Sequence, residues 1–307
     1  MSANGATLLA SAITLFTGMF WGVYWLPVRA LAEMGLVGAW GTLAITAATS
    51  GALLPFAMMN RSRLRAADPL ALASIALGGA AFALYSVGFL YGRVAIIILL
   101  WFLSPVWSTL IGRFVMGWPT PRLRYVAIVV GVAGLAMMLG ADGQAPFPRG
   151  LGEWMSLVGG VIWSFSTTGI RAKSDVNPAS AAFVFAVGAT LATLALAPLL
   201  GPWPYLAARH AANLIGLVLA TGGLWWGASI AGLMWAATRL DPARAAILLM
   251  SEVLIGALSA TLLASERLGA LEVAGGALVV CAGLLEIWPL RRAEPGRQAP
   301  HSSQFLR

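Results

Sequence analysis

Hydrophobic positions fall into ten blocks along this chain, most of them about 20 residues long, each closed by a short polar or Gly/Pro-bearing stretch. The blocks lie at 8–28, 36–59, 70–92, 94–117, 123–141, 151–170, 178–200, 213–237, 243–263 and 270–290. A helix rising ~1.5 Å per residue needs about 20 residues to cross a hydrocarbon core of ~30 Å. Each block therefore predicts a membrane-spanning helix, and the fold class is an all-α membrane protein with ten transmembrane helices. The connections are short, which excludes an inserted soluble domain. The pattern predicts one membrane domain over 1–307, with five-helix units at 8–141 and 150–290. A polar tail, 291–307, is expected to be disordered and cytoplasmic.

Composition supports the same reading. Of 307 residues, 60% are hydrophobic and 10% charged, against about 25% charged in a typical soluble domain. Mean hydropathy is +0.85. A net charge of +8 raises nucleic-acid binding as a possibility, but the distribution of that charge points away from it. With the N-terminus inside, fourteen Lys and Arg, among them Arg61, Arg63, Arg65, Arg122 and Arg124, fall on the inner side. Five fall outside: Arg29, Arg93, Arg149, Arg209 and Arg267. This bias puts both termini in the cytoplasm, as an even number of spans requires. The single cysteine, Cys281, excludes an intramolecular disulfide and reads as a small packing residue. The first block lacks a basic leader and is read as a retained helix.

The two halves echo each other. Gly18-Met19-Phe20-Trp21 with Arg29 returns 142 positions later as Gly160-Val161-Ile162-Trp163 with Arg171. Gly78-Gly79 and Gly88 answer to Gly222-Gly223 and Gly232, and Ser104-Pro105 to Ser251-Glu252. Five spans separate the copies, so the halves cross the bilayer in opposite senses, the signature of a transporter built from inverted repeats (5+5).

On these residues the chain resembles the drug/metabolite transporter superfamily. The Trp-to-Arg spacing in spans one and six is similar, as is Ser265-Glu266-Arg267-Leu268 before a final helix carrying Gly275, Gly276 and Gly283. The likeness is to the EamA-type bacterial exporters. Leu103-Ser104-Pro105 with Leu110 and Gly112 is similar to span four of their aromatic amino-acid exporters. The chain departs from that pattern at Val253, where a Pro is common, and at Trp118-Pro119 after span four. The resemblance implies a multi-pass protein of the bacterial inner membrane that exports metabolites.

Transport needs a pocket near the midplane. Glu252 stands out: about 11 residues beyond Asp241 it lies ~16 Å deep, where an acidic residue costs roughly 2.5–3.5 kcal/mol. It reads as a contact for a substrate amine, as a proton-coupling carboxylate, or as a neutral hydrogen-bonded Glu in a helix crossing. Trp21, Trp101, Trp163 and Trp225 lie deep, unlike Trp40, Trp118, Trp154, Trp203 and Trp288, which sit at predicted interfaces. Deep indoles serve either packing or a pocket wall, and buried ones need a hydrogen-bond partner. Phe82, Tyr85 and Phe89 share a helix face, as do Trp21 and Tyr24. Tyr85 and Tyr24 are taken as substrate-binding candidates, with Thr167 and Ser251 as hydroxyl donors, although such groups often bond to their own helix. Pro105 is a candidate hinge in span four. Gly18-x-x-x-Gly22 and Gly88-x-x-x-Gly92 predict close helix approaches.

These residues place a central cavity among spans one, three, four, six, eight and nine. The expected activity is export of small amphipathic metabolites, with aromatic and hydrophobic amino acids favoured by the resemblance and the indole-rich interior. The alternative is a multidrug exporter of aromatic cations, which suits one acidic group among aromatic faces. An intramembrane enzyme finds little support. His210 and His301 lie in a predicted loop and the tail, no metal-ligand cluster is visible, and no phosphate-cradling glycine loop is present. No cofactor, metal or nucleic-acid partner is expected. The partners are the substrate and the bilayer, and one chain of ten spans suffices, so a monomer is expected.

Overall fold

The structure, a computed structural model, describes residues 3–118, 120–173, 176–205, 211–237, 239–240 and 242–287. The tail from 291, His210 and Trp288 lie outside the described residues. Helices account for most of what is described, with no strand among those residues. In chain order they are α1 (Ala3–Gly22), α2 (Trp25–Glu33), α3 (Trp40–Met59), α4 (Arg61–Ala66) and α5 (Pro69–Gly88). Then come α6 (Val94–Trp101), α7 (Ser104–Phe114), α8 (Arg122–Leu139), α9 (Leu151–Lys173) and α10 (Pro178–Leu200). The last are α11 (Ala211–Leu219), a π-helical stretch (Ala220–Gly227), α12 (Ala228–Ala237), α13 (Pro242–Leu249), α14 (Ser251–Leu263) and α15 (Ala270–Ile287).

Among the described residues, seven helical runs are long and apolar enough to cross a membrane: Gly5–Glu33, Trp40–Met59, Pro69–Gly88, Val94–Phe114, Arg122–Leu139, Pro178–Leu200 and Ala211–Leu233. Ile247–Leu263 and Ala270–Leu285 are shorter apolar helices. The architecture is that of a multi-pass α-helical membrane protein. Its outer surface is hydrocarbon: Phe114, Val129, Leu199 and Leu262 are all largely exposed, as contact with lipid allows.

Several predicted blocks are broken. The block at 94–117 ends one helix at Trp101 and starts another at Ser104, with Pro105 in the first turn of α7. There the missing N–H is no loss and the fixed φ favours initiation, so Pro105 starts a helix instead of kinking one. The block at 243–263 breaks at Met250 and restarts at Ser251. The first block breaks at Val23 and Tyr24.

Small residues let helix backbones meet. A Cβ on Gly22 would lie 2.8 Å from the Glu252 carbonyl oxygen, and one on Gly134 2.7 Å from that of Gly275. Glycine is required at both crossings, α1 on α14 and α8 on α15. Helix α5 lies innermost, packed against α9 and α10, and α6 is buried along its whole length.

Candidate functional site

Glu252 sits in the first turn of α14, so the chain break at Met250 turns a mid-block position into a helix start. Its carboxylate lies where orphan N–H groups and the positive helix end favour an acceptor. The side chain is buried, and Oε1 accepts a 2.7 Å hydrogen bond from the Tyr85 hydroxyl. Two residues singled out separately in the sequence, on α5 and α14, are thus direct partners.

Tyr85 is also part of an aromatic cluster. Its ring stacks on Trp101 with centroids 4.7 Å apart and planes at 25°. Trp101 meets Trp163 at 5.4 Å, and Trp163 meets Phe185 edge-on at 6.0 Å. Phe185 lies 6.2 Å from Phe82, and Phe82 6.1 Å from Tyr85. The five rings close a circuit drawn from α5, α6, α9 and α10. Phe82 also contacts Trp21 at 6.1 Å, Tyr24 at 5.5 Å and Trp226 at 5.0 Å. Such tilted and edge-on pairs are the favoured aromatic geometries.

The indole and hydroxyl groups of this cluster differ in how they are satisfied. Trp21 Nε1 donates to Ser229 Oγ at 3.0 Å, and Tyr24 Oη accepts from Ser86 Oγ at 3.3 Å. Trp226 is fully buried, and its Nε1 has no hydrogen-bond partner among the described residues. It is an unsatisfied donor beside the ring circuit.

Other sequence candidates lie elsewhere. Trp225 sits outside the cluster: its ring packs on Phe20 at 5.5 Å, its Nε1 donates to the Phe20 carbonyl, and it lines a largely apolar surface groove of about 750 Å³ beside α1. The inward place goes to Trp226. In a π-helical stretch the chain advances about five residues per hydrogen-bonded turn, which shifts the inward face from where an ordinary helix would put it. The Thr167 hydroxyl bonds to the Trp163 carbonyl of its own helix. Ser251 Oγ donates to the Leu15 and Leu248 carbonyls, tying α14 to α1. Pro105 lies where α7 meets α9, next to the Ser104 carbonyl that accepts from Ser164 Oγ at 2.7 Å. Phe185 and Trp226 went unremarked in the sequence. For Trp226 the Trp-Trp pair was the only cue.

One face of the molecule carries a polar lattice that joins distant segments. Arg29 donates to the Phe89 and Gly92 carbonyls at the end of α5, its guanidinium 5.0 Å from the Trp25 ring. Glu266 accepts from the backbone N–H of Val94 at 2.6 Å and of Ala95 at 3.2 Å, capping α6, and lies 3.9 Å from Arg29. Arg93 pairs with Glu272, a bond that raises the arginine's pKa above its usual value.

No protein-family model matches the chain, and no curated protein matches it. Solved structures do. One, described only as a protein crystal structure, aligns over 92% of this chain and 96% of its own with a TM-score of 0.59 at 21% identity. The likeness is one of fold.

Proposed function

We propose that this protein is a ten-span secondary transporter of small amphipathic metabolites, aromatic and hydrophobic amino acids foremost, with its site at the ring circuit. The observation that carries the reading is the buried Tyr85–Glu252 pair, with Tyr85 stacked on Trp101 and Trp163 tilted against that indole. The rings suit an apolar or aromatic side chain, Glu252 suits an ammonium, and the Trp226 N–H suits an acceptor such as a carboxylate. An acidic group deep in a bilayer is retained where it serves a pathway.

The inverted-repeat reading has support in the helix pairings. With spans numbered as predicted, the pairs three–six, four–six and three–seven have counterparts eight–one, nine–one and eight–two. The pairs two–seven and five–ten map onto themselves. The breaks before Ser104 and Ser251 fall at positions already aligned by sequence. We place the protein in a bacterial inner membrane with both termini cytoplasmic, on the arginine distribution and the drug/metabolite transporter resemblance. Export by alternating access follows from the same resemblance.

The test is uptake of a substrate panel into proteoliposomes, with and without a pH gradient. Aromatic and branched amino acids are expected to move, and Trp101→Ala and Trp163→Ala to slow them while the protein stays folded. Full activity in both variants would overturn the site. The second reading, export of aromatic cations, is favoured by the single acidic group. It is selected if Glu252→Gln abolishes cation flux and spares amino-acid flux.

A further inference from the structure

At the arginine-rich face, α5 and α10 begin next to a cavity of about 390 Å³, with α4 along its edge. Both helices open on an Asx-Pro pair. Asp68 Oδ1 accepts from the Leu70 N–H at 2.8 Å, and Asn177 Oδ1 from the Ser180 N–H at 2.9 Å. Pro69 and Pro178 occupy the first turns. These caps use one Asp68 oxygen and leave the other. Arg63, on α4, makes no ion pair among the described residues and lines the same cavity.

The second observation is Ser180. It lines the cavity at 1% exposure, and its hydroxyl has no hydrogen-bond partner among the described residues. A buried polar group left unpaired keeps its full desolvation penalty, so such groups are rare and call for an explanation.

Among the described lining residues, Asp68 and Arg63 bring one charge of each sign. A bare anion would meet the Asp68 carboxylate, and a bare cation the Arg63 guanidinium. A zwitterion satisfies both. Met58, Met59 and Leu70 are exposed on the flanking ends of α3 and α5, which puts hydrocarbon contacts beside the polar cavity. That is the layout of a lipid headgroup above its acyl chains. We propose that this cavity binds the phosphoethanolamine headgroup of a membrane lipid, with Asp68 holding the ammonium and Arg63 and the Ser180 hydroxyl holding the phosphodiester. The site is separate from the ring circuit and does not depend on what is transported.

The test uses the full chain, delipidated in detergent, with its unfolding midpoint followed during titration. The ligands are phosphatidylethanolamine, phosphatidylcholine and phosphatidylglycerol of matched chains, and soluble glycerophosphoethanolamine. Phosphatidylethanolamine is expected to raise the midpoint most, because the choline group has no N–H and the glycerol group no cation. Asp68→Asn keeps the helix cap but loses the charge, and Ser180→Ala removes the hydroxyl. Each is expected to need about tenfold more phosphatidylethanolamine for the same shift, the worth of one good hydrogen bond; Ser180→Ala weakens the phosphatidylcholine response as well, because the phosphodiester is common to both, whereas Asp68→Asn removes the preference for ethanolamine over choline. Equal shifts from all three lipids, or an unaltered ethanolamine response in both variants, overturn the proposal. So does a soluble headgroup acting as well as the lipid, which would assign the site to a free metabolite. Arg63→Gln, on a helix with no buried residue, carries the same test if either other variant fails to fold.

Discussion

At the scale of single residues, the decisive contact is the hydroxyl of Tyr85 against the carboxylate of Glu252. Both are buried, so breaking one side leaves the other unpaired. A double-mutant cycle on Tyr85→Phe and Glu252→Gln, read by unfolding in detergent, is expected to give a coupling of about 1–3 kcal/mol. A coupling near zero removes the bond from the site. Two tryptophans make a second test. Trp21→Phe loses a bond to Ser229, whereas Trp226→Phe removes a donor that has no partner. The loss of ring volume is the same in each, so Trp21→Phe is expected to destabilise by about 0.5–1.5 kcal/mol more. If Trp226→Phe also impairs transport while leaving the unfolding midpoint in place, its N–H faces the substrate.

At the scale of helices, close packing predicts opposite signs for two glycines. Gly275→Leu is expected to push α8 from α15 and destabilise by about 1–3 kcal/mol, because a Cβ there lies 2.6 Å from the Gly134 carbonyl oxygen. Gly51→Ala, on α3 with open space around it, is expected to be neutral or stabilising by up to about 1 kcal/mol. Unfolding midpoints of the two variants check both. The helices themselves were largely legible in the sequence, since a run of about 20 apolar residues reports the free energy of transfer into lipid. That quantity does not register a backbone break inside an apolar run, so the restart at Ser251 is not legible, while at Ser104 only Pro105 marks a bend in the span. Ser104-Pro105 was visible as a pair, yet a proline reads equally as a kink or as a first turn. The pairing of Tyr85 with Glu252 is not legible in the sequence, because helical periodicity fixes the face each residue occupies on its own helix and not which helices meet. Trp225 was preferred to Trp226 because nothing in Ala220–Gly227 announces a π-helical stretch.

At the scale of the whole molecule, the proposed arrangement of ten spans in opposed halves predicts where loops surface. In a Cys281→Ser background, Ser62→Cys is expected to react with an impermeant thiol reagent from the side of the termini, and Gly143→Cys from the opposite side. Labelling of both from one side ends the inverted arrangement. The arginine lattice adds a different consequence. The first turn of α6 is completed by Glu266, 172 residues further along the chain. A nascent chain that has emerged only as far as α13 carries α6 with open amides at Val94 and Ala95, whatever else has inserted. The first turn of α6 is therefore completed only after α14 has been made, and the biosynthesis of this protein returns late to finish something begun early.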